Sequence, residues 1–280
     1  MRRRIISISL REDLITRVDN LVDGTVIRNR SHALESILVN YFREEKIKVL
    51  ILAGSQGKDL LPLTKDTPKC MLDVGGKPIL EHVVRNLRVL GFTQMIISVS
   101  YKADKVMDYF GDGSQFGVEI TYIQDPEPLG TAGALIRADK FIDGRFILIY
   151  GDNFFKFDLT DMVEFHEKAS ALGTVGLTTV PDPASYGVVE LKGSKVVDYS
   201  EKPTEFRSFI INGGIYIFER EIFSSLDASQ RSLERDVLPR LAKEGKLAGY
   251  NLAGQWIGID TKEDLERARK LFSEKKVETV

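Results

Sequence analysis

The stretch "ILAGSQGKDLLPLTKDTPKCMLDVGGKPIL", residues 51–80, contains the pattern that decides the fold. It begins as a buried strand, continues through a glycine turn and a proline-rich loop, and ends at the start of a helix. A glycine turn directly after a strand offers backbone N–H groups to phosphate, because glycine lets the backbone approach closely. This turn is followed by Asp59, whose carboxylate repels phosphate. The other motifs of the sequence bear on whether a loop with this carboxylate can still support phosphate chemistry.

From residue 48 onward, strand-like and helix-like segments alternate. The strand-like segments are "KVLILAG", "QMIISVS", "VEITYIQ", "RFILIYGD" and "TVGLTTV", and the helix-like ones are "PILEHVVRNLRVLG", "KADKVMDYFG", "GTAGALIRADK" and "DLTDMVEFHEKAS". The later segments "YGVVEL", "KVVDYSEK" and "FIINGGIYIF" predict antiparallel strands over the same pocket, and "SLERDVLPRLAKEG" and "KEDLERARKLF" predict closing helices. We expect an α/β fold with a mixed, mainly parallel, Rossmann-like sheet covered by helices, and with ligands at the carboxyl ends of its strands.

Composition excludes several classes of protein. The chain has 280 residues, of which 43% are apolar, and a formal net charge of −2, as expected for a globular protein. Its single cysteine, Cys70, cannot form an internal disulfide and fits a reducing compartment. No apolar run approaches the roughly 18 residues of a membrane span. We therefore expect a cytoplasmic protein with no membrane partner.

The first 45 residues form a separate pattern. "RRIISISL" alternates as a half-buried strand does, and "REDLITRVDNLVDG" and "NRSHALESILVNYFREE" have helical spacing. One strand and two helices bury too little apolar area to fold alone. We expect residues 1–45 to form a small domain that pairs with a second copy, giving a homodimer or a higher even-numbered oligomer, and residues 46–280 to form the large domain.

This strand, helix, helix order resembles the ribbon-helix-helix family of DNA-binding dimers. The resemblance implies that double-stranded DNA is a partner, with the paired strands in the major groove and the start of the second helix at a phosphate. The residues it assigns to DNA are Arg2, Arg3, Arg4, Ile5, Ser7, Ser9, Arg30 and Ser31. Relatives usually have Lys or Arg at the position of Ile5. The alternative is a dimerisation arm whose arginines are only solvated.

Residues 47–272 resemble the sugar-1-phosphate nucleotidyltransferases, the nucleotide-sugar pyrophosphorylases. The motifs that carry the resemblance stand in the right order: "LAGSQGKDLLPLT", "PK", "LGTAGAL", "YGDN", "YGVVE", "SEKP", "NGGIYIF" and "WIGIDTKEDL". The family's reaction is attack of a sugar-phosphate oxygen on the α-phosphorus of a nucleoside triphosphate. Such a displacement needs alignment and neutralisation of charge rather than a protein nucleophile.

The resemblance implies a role for each motif. Lys69, Asp152 and Lys202 would be the catalytic residues, and Asp152 would bind Mg²⁺. The ligand, a nucleotide, nucleotide sugar or sugar phosphate, would meet three groups of residues: Ala53, Gly54 and Gly57 at the triphosphate, Gln124 and Gly130 at the base, and Gly187, Glu201 and Asn212 at the sugar.

Two departures from the family pattern bear on activity. The loop arginine of relatives is replaced by Asp59, with Lys58 beside it. The second metal carboxylate is replaced by Gly258, and Asp260 follows two residues later. Two residues along a strand move a carboxylate by roughly 6 to 7 Å, which argues against one metal ion between Asp152 and Asp260 unless a bulge restores the register. Together the departures could remove about 10⁴ in rate.

Two functions are consistent with these residues. The first is a DNA-binding transcriptional regulator whose degenerate transferase domain senses a nucleotide sugar, a sugar phosphate or a nucleotide, because the sugar-side motifs are intact while the catalytic positions are altered. The second is an active sugar-1-phosphate nucleotidyltransferase that uses the first domain for dimerisation or for tethering to DNA. A purely structural scaffold would leave the sugar-side residues unexplained.

DNA binding by the first domain can be tested through Arg3. We expect Arg3→Ala to weaken binding to duplex DNA and to lower the salt dependence of the affinity by about one counterion, because one phosphate or base contact is lost. Fluorescence anisotropy at two salt concentrations measures both effects. An unchanged affinity would count against the placement of the strand in the groove.

Overall fold

The computed structural model describes residues 7–22, 27–42, 47–124 and 129–274, and the following elements lie in those ranges. The helices are α1 Glu12–Asp19, α2 Arg30–Phe42, α3 Ile79–Val89, α4 Ala103–Phe110, α5 Gly130–Ala138, α6 Leu159–Ala169, α7 Leu238–Lys243 and α8 Lys262–Glu274. The strands are β1 Lys48–Leu52, β2 Asp73–Val74, β3 Lys77–Pro78, β4 Gln94–Val99, β5 Glu119–Gln124, β6 Phe146–Tyr150, β7 Asn153–Lys156, β8 Gly173–Thr179, β9 Gly187–Lys192, β10 Lys195–Glu201, β11 Ile210–Phe218, β12 Leu247–Asn251 and β13 Gln255–Gly258. Each described helix is too short or too polar to cross a bilayer.

A mixed sheet forms the centre of the large domain. In the described residues its strand order is β5-β4-β1-β6-β11-β8-β12-β10-β9. The first four strands are parallel, as the alternation of strands and helices predicts. Their carboxyl ends therefore lie at one edge, where the glycine loop after β1 and the "GDN" motif after β6 come side by side.

The second half of the sheet is mostly antiparallel. Strand β11 runs antiparallel to both β6 and β8, and β10 runs antiparallel to β12 and β9. Strand β9 also pairs with β11 through Val188 and Ile211, so that this end of the sheet curls back on itself. The prediction of a mixed sheet is confirmed, but "mainly parallel" describes only the first half, because the connections that join β8, β9, β10 and β11 are too short for helical crossovers.

Alternate residues of the central strands enter two separate cores. Val49 and Ile51 of β1 pack in the core that also receives the apolar faces of α3, α4 and α6. Leu50 and Leu148 point the other way, into the core formed with α5 and α7. Because both faces of the sheet are covered, these strands are apolar at nearly every position, which is the reason that they are so easily recognised in the sequence.

The described part of residues 1–45 differs in part from the predicted arrangement. Helices α1 and α2 occur in the predicted order, but residues 1–6 lie outside the described residues, and residues 7–10 form no strand. Val18 and Ala33 are buried in the same core as β1 and α6, and His32 Nε2 lies 3.2 Å from Asp158 Oδ2 at the start of α6. The large domain of the same chain therefore covers apolar surface that the sequence analysis assigned to a second copy.

The docking of α2 on the large domain can be tested with two substitutions on one helix. Ala33 is 1% exposed and Leu38 is 45% exposed. We expect Ala33→Arg to cost about 2–3 kcal/mol of unfolding free energy, because the arginine must either be buried or push the helix away. Leu38→Arg should cost much less. Chemical denaturation of both variants gives the comparison, and equal losses would contradict the docking.

Candidate active site

The loop after β1 is held against the neighbouring strand and against Lys69. The backbone N–H of Ala53 donates to the carbonyl of Ser98 over 2.8 Å, which continues the line of β1 past its last residue. Gly57 has φ +67, and a Cβ there would lie 2.8 Å from Cβ of Lys69. Only glycine fits this position, because both the backbone angle and the close approach exclude a side chain. The loop is thereby wrapped around Lys69.

Lys69 forms ion pairs with carboxylates from two distant segments of the chain. Its side chain is buried, and its Nζ lies 2.8 Å from Oδ2 of Asp152 and 2.6 Å from Oδ1 of Asp260. We call these three residues the lysine–carboxylate cluster. It brings together predicted residues from the "PK", "GDN" and "WIGID" motifs, which are separated by more than eighty residues in each case.

The position of Asp260 differs from the expectation, and the reason is where β13 ends. Strand β13 pairs antiparallel with β7, so that Gly258 lies opposite Asn153. The strand stops at Gly258, and the N–H of Ile259 donates to the carbonyl of Asp152 over 3.3 Å. The chain then turns, and Asp260 meets the same ammonium as Asp152. A shift of roughly 6 to 7 Å would hold only for a strand that continued to residue 260, and β13 ends at Gly258.

Gly258 itself faces an aromatic ring. A Cβ at this position would lie 3.1 Å from the ring of Trp256, whose Nε1 donates to the carbonyl of Gly213 over 2.8 Å. A carboxylate at position 258 would have to move that ring. The described residues therefore provide space for a carboxylate at 260 and not at 258.

The charges of the cluster stabilise one another. Burial disfavours the charged form of Lys69, but the carboxylates of Asp152 and Asp260 outweigh it and hold the pKa of the lysine above its ordinary value. Lys69 therefore remains a cation at every physiological pH. With two carboxylates and one ammonium, the cluster keeps one negative charge, which favours a further cation.

The cluster has the right chemistry for Mg²⁺ but does not form a complete cage. Carboxylate oxygens are the ligands that Mg²⁺ prefers, and it is commonly bound by one or two carboxylates together with substrate phosphates. Among the described residues, no group of three or more His, Cys, Asp or Glu side chains could hold a metal ion. Any Mg²⁺ at Asp152 and Asp260 would thus need ligands from the substrate or from water.

The base-side residues lie on either side of the segment at 125–128, which is outside the described residues. Gln124 is exposed at the end of β5. Gly130 begins α5 with φ +76, and a Cβ there would lie 2.0 Å from the carbonyl oxygen of Arg231. The space beside Gly130 is taken by this carbonyl, which accepts from the N–H of Ala132. The glycine is thus required by packing, and its contact with a base stays a prediction.

The sugar-side residues meet across β9, β10 and β11. Gly187 lies opposite Glu201, and a Cβ at Gly187 would come 3.0 Å from Oε2 of Glu201. Burial raises the pKa of Glu201. Asn212 is buried, and both hydrogens of its amide are used within the protein. Lys202 is exposed, with φ +47.

A network of hydroxyl groups was missed in the sequence. Thr131, Tyr150 and Tyr216 stand inside the quoted motifs, each within four residues of a predicted site residue, and they connect with Glu234 by hydrogen bonds. Glu234 lies in "SLERD", which we interpreted only as part of a helix. The one available signal was the repeated presence of hydroxyl side chains inside the motifs.

The residues predicted to contact DNA are only partly described. Arg2, Arg3, Arg4 and Ile5 lie outside the described residues, while Ser7, Ser9 and Ser31 are exposed. Arg30 is paired with Asp19, with Nη2 2.6 Å from Oδ2, so that a carboxylate of its own chain already neutralises its charge. This pair weakens the case for Arg30 as a phosphate contact.

Comparison with known proteins supports the large domain's resemblance. The family model described as "Nucleotidyl transferase" matches residues 48–275. A mannose-1-phosphate guanyltransferase of Aspergillus oryzae is 33% identical over 225 residues, which is 78% of this chain and 62% of that protein. The mannose-1-phosphate guanyltransferase beta-A of Xenopus laevis is 35% identical over 224 residues, again 78% of this chain and 62% of that protein.

A solved structure gives the same result. The crystal structure of HddC from Yersinia pseudotuberculosis complexed with GMP-PN has a TM-score of 0.71 and 31% identity, and the match covers 81% of this chain and 99% of that one. The chain spans less than two thirds of the length of the curated relatives named above. These relatives support the transferase interpretation better than the ligand-sensing regulator, and the matches do not show a DNA-binding domain.

Cys70 offers a test of how tightly the cluster's surroundings are packed. Its Sγ lies 3.7 Å from the carbonyl oxygen of Ala53, and burial, followed by the charge of Asp152, raises the pKa of the thiol to about 12. At about pH 8 the thiolate fraction would be on the order of 10⁻⁴, against roughly a quarter for a free cysteine. We expect native protein to react with Ellman's reagent at least about 10³ times more slowly than protein in concentrated guanidinium chloride. Rapid labelling of the native protein would contradict this packing.

Proposed function

The chain belongs to the nucleotidyl transferase family, and we propose that it transfers a nucleotidyl group from a nucleoside triphosphate to a sugar 1-phosphate. A phosphate oxygen of the sugar attacks the α-phosphorus, the bond from that phosphorus to the bridging oxygen of the β-phosphate breaks, and pyrophosphate leaves with that oxygen. The observation that carries the proposal is the lysine–carboxylate cluster, which lies beside the glycine loop at the carboxyl ends of β1 and β6.

Lys69 and the loop would act on the phosphates. Gly54 would present its N–H to the triphosphate, and the N–H of Gly57, which donates to Oγ of Ser55 over 3.2 Å, would exchange that acceptor for a phosphate oxygen. The ammonium of Lys69 would neutralise charge that develops on the α-phosphate. Because Gly57 is packed on the stem of Lys69, the loop and the cation are positioned together. Preorganisation of this kind needs no nucleophile from the protein.

Asp152 and Asp260 would hold the Mg²⁺ ion. Their fit rests on two carboxylate oxygens that already meet at one cation, the Nζ of Lys69. When bound, the ion would neutralise phosphate charge. Asp260 thereby takes the place of the family's carboxylate at position 258.

Asp59 then has a smaller effect than its presence in the loop suggested. Lys58 and Asp59 are both exposed, in the short turn Lys58–Leu60. The repulsion between an exposed carboxylate and phosphate is screened by solvent and salt. A loop with this carboxylate can therefore still bind a triphosphate, with Lys58 as a nearby cation.

GTP and mannose 1-phosphate are the substrates that we propose to test first. Both relatives named above are mannose-1-phosphate guanyltransferases, and the HddC structure contains GMP-PN. Gln124 and Gly130 would lie at the base, and Gly187, Glu201, Asn212 and Lys202 at the sugar phosphate. Other nucleoside triphosphates and hexose 1-phosphates belong in the same panel.

A second proposal concerns residues 1–45, which we propose bind double-stranded DNA as a homodimer. It is supported by the order of α1 and α2 and by the exposed apolar residues Ile37 and Leu38, which a second copy could bury. DNA binding and transfer activity are compatible, because the two proposals use different parts of the chain.

The transfer activity is tested by release of pyrophosphate from GTP and mannose 1-phosphate with Mg²⁺. We expect turnover by the unmodified protein, and a loss of about 10² to 10³ in kcat for Asp152→Asn and for Asp260→Asn, because each removes one preorganised charge. Asp108→Asn, on the exposed side of α4, is the matched control and should retain full activity.

Absence of turnover across the whole panel, from protein shown to be folded, would contradict the proposal. It would favour the hypothesis of a transferase-like domain that senses a ligand. Turnover that is lost in Asp152→Asn and retained in Asp260→Asn would remove Asp260 alone from the site.

A further inference from the structure

A continuous path of hydrogen bonds connects the two halves of the candidate site. It begins at Thr131 in the base-side motif and ends at Glu201 in the sugar-side motif. Its members, in order, are Thr131, Glu234, Tyr150, Tyr216, Asn212, Tyr199 and Glu201. We call this path the hydroxyl network. Two of its members, Asn212 and Glu201, are the residues predicted to meet sugar hydroxyls.

The backbone fixes the direction of the protons near the middle of the network. The N–H of Gly214 donates to Oδ1 of Asn212 over 2.9 Å, which places the amide nitrogen of that residue on the other side. Nδ2 then donates one hydrogen to Tyr216 over 2.6 Å and the other to Tyr199 over 3.0 Å. Both tyrosines accept from the amide and must give their own protons to the next residue.

Glu234 is the acceptor at which one branch ends. Tyr216 lies 3.3 Å from the hydroxyl of Tyr150, and the hydroxyl of Tyr150 donates to Oε1 of Glu234. The other branch ends at Glu201, where the hydroxyl of Tyr199 lies 3.4 Å from Oε2. Each branch therefore runs from the amide of Asn212 through hydroxyl groups to a carboxylate.

The other oxygen of Glu234 is also an acceptor. Its Oε2 accepts from Thr131 over 2.8 Å and from Ser232 over 2.7 Å. Each of these hydroxyls itself accepts a backbone N–H, from Leu233 and Arg235 respectively, so their protons are free to point at Glu234. A carboxylate surrounded by three O–H donors is satisfied only as an acceptor. Burial raises the pKa of Glu234, and the hydrogen bond from Thr131 acts in the opposite direction by favouring the charged form.

We propose that Glu234 is a positioning residue that couples the two halves of the site: by accepting from both Thr131 and Tyr150, it fixes the start of α5 and, through the tyrosines, the orientation of Asn212 and Glu201. This inference rests on the proposed transfer function, since it concerns the same site. If Glu234 couples the two halves, a substitution of Thr131, which lies on the base side, changes the affinity for the sugar phosphate.

An amide at position 234 would disrupt this arrangement. In Glu234→Gln, either Tyr150 or the pair of Thr131 and Ser232 faces an NH₂ group, whichever way the amide is turned. If Tyr150 turns its hydroxyl proton towards Tyr216, the hydroxyl of Tyr216 accepts from both Tyr150 and Asn212. The proton of Tyr216 then has no acceptor in the network. A buried polar group left without its partner weakens the site, and we expect a rise of about tenfold in the KM for mannose 1-phosphate.

The test compares KM for mannose 1-phosphate with kcat in four variants. Glu234→Gln and Thr131→Val are expected to raise KM about tenfold and about three- to tenfold, with kcat within about threefold. Thr131→Ser keeps the hydroxyl and should restore KM to within about twofold. Glu190→Gln, the same change at an exposed position of β9, should leave both parameters unchanged.

A residue needed only for folding gives a different result. It would lower the active fraction, so kcat per mole of protein and the midpoint of thermal unfolding would fall while KM stayed constant. That pattern would overturn the proposal, as would a Thr131→Ser variant as impaired as Thr131→Val.

If the unmodified protein has no turnover, the proposed function fails, and the network is then tested by the calorimetric Kd for mannose 1-phosphate. An affinity weakened about tenfold in Glu234→Gln would support coupling, whereas an equal Kd, or no binding at all, would overturn it.

Discussion

The ammonium of Lys69 between Asp152 and Asp260 is the interaction on which the candidate site depends. A buried lysine without a partner would lose its charge, and the partly buried carboxylate of Asp152 would repel the exposed carboxylate of Asp260 if no cation lay between them. The three groups therefore require one another, and they come from segments that only the complete fold brings together. Lys69 follows the loop after β1, Asp152 follows β6, and Asp260 follows β13. The contact can therefore form only when the site is assembled, and it stabilises the assembled site.

Much of the large domain could be predicted because its strands are buried on both faces. Segments such as "KVLILAG" and "RFILIYGD" each contain an uninterrupted apolar run and stand between helices with clear periodicity. Their strands and helices occur where expected. The curled end of the sheet could not be predicted, since the pairing of Val188 with Ile211 joins strands that are not consecutive. Pairing between distant segments leaves no local pattern in the sequence.

In the site, too, residues inside a local motif could be predicted, and residues placed by contacts between distant segments could not. Asp152 could be found from its motif, and the position of Asp260 could not, because the apolar pattern of "WIGI" does not reveal that β13 ends at Gly258. Glu234 was missed for a related reason. Its importance comes from contacts with Thr131 and Tyr150, which are 103 and 84 residues away in the chain. A glutamate in a helix-like segment has no feature of its own that distinguishes it from a solvated one.

The docking of α1 and α2 follows from the distribution of apolar surface. One strand and two helices would bury too little apolar area to fold alone, but a second copy is not the only surface that can complete their core. Val18 and Ala33 are buried against the core that contains Val49 and Ile51 of β1, the strand that leads directly into the glycine loop. The ring of His32 meets Asp158 at the start of α6, six residues after Asp152. Helix α2 is therefore in contact with the layer that supports the lysine–carboxylate cluster, and because packed interiors resist deformation, a displacement of α2 and a displacement of that layer are energetically linked.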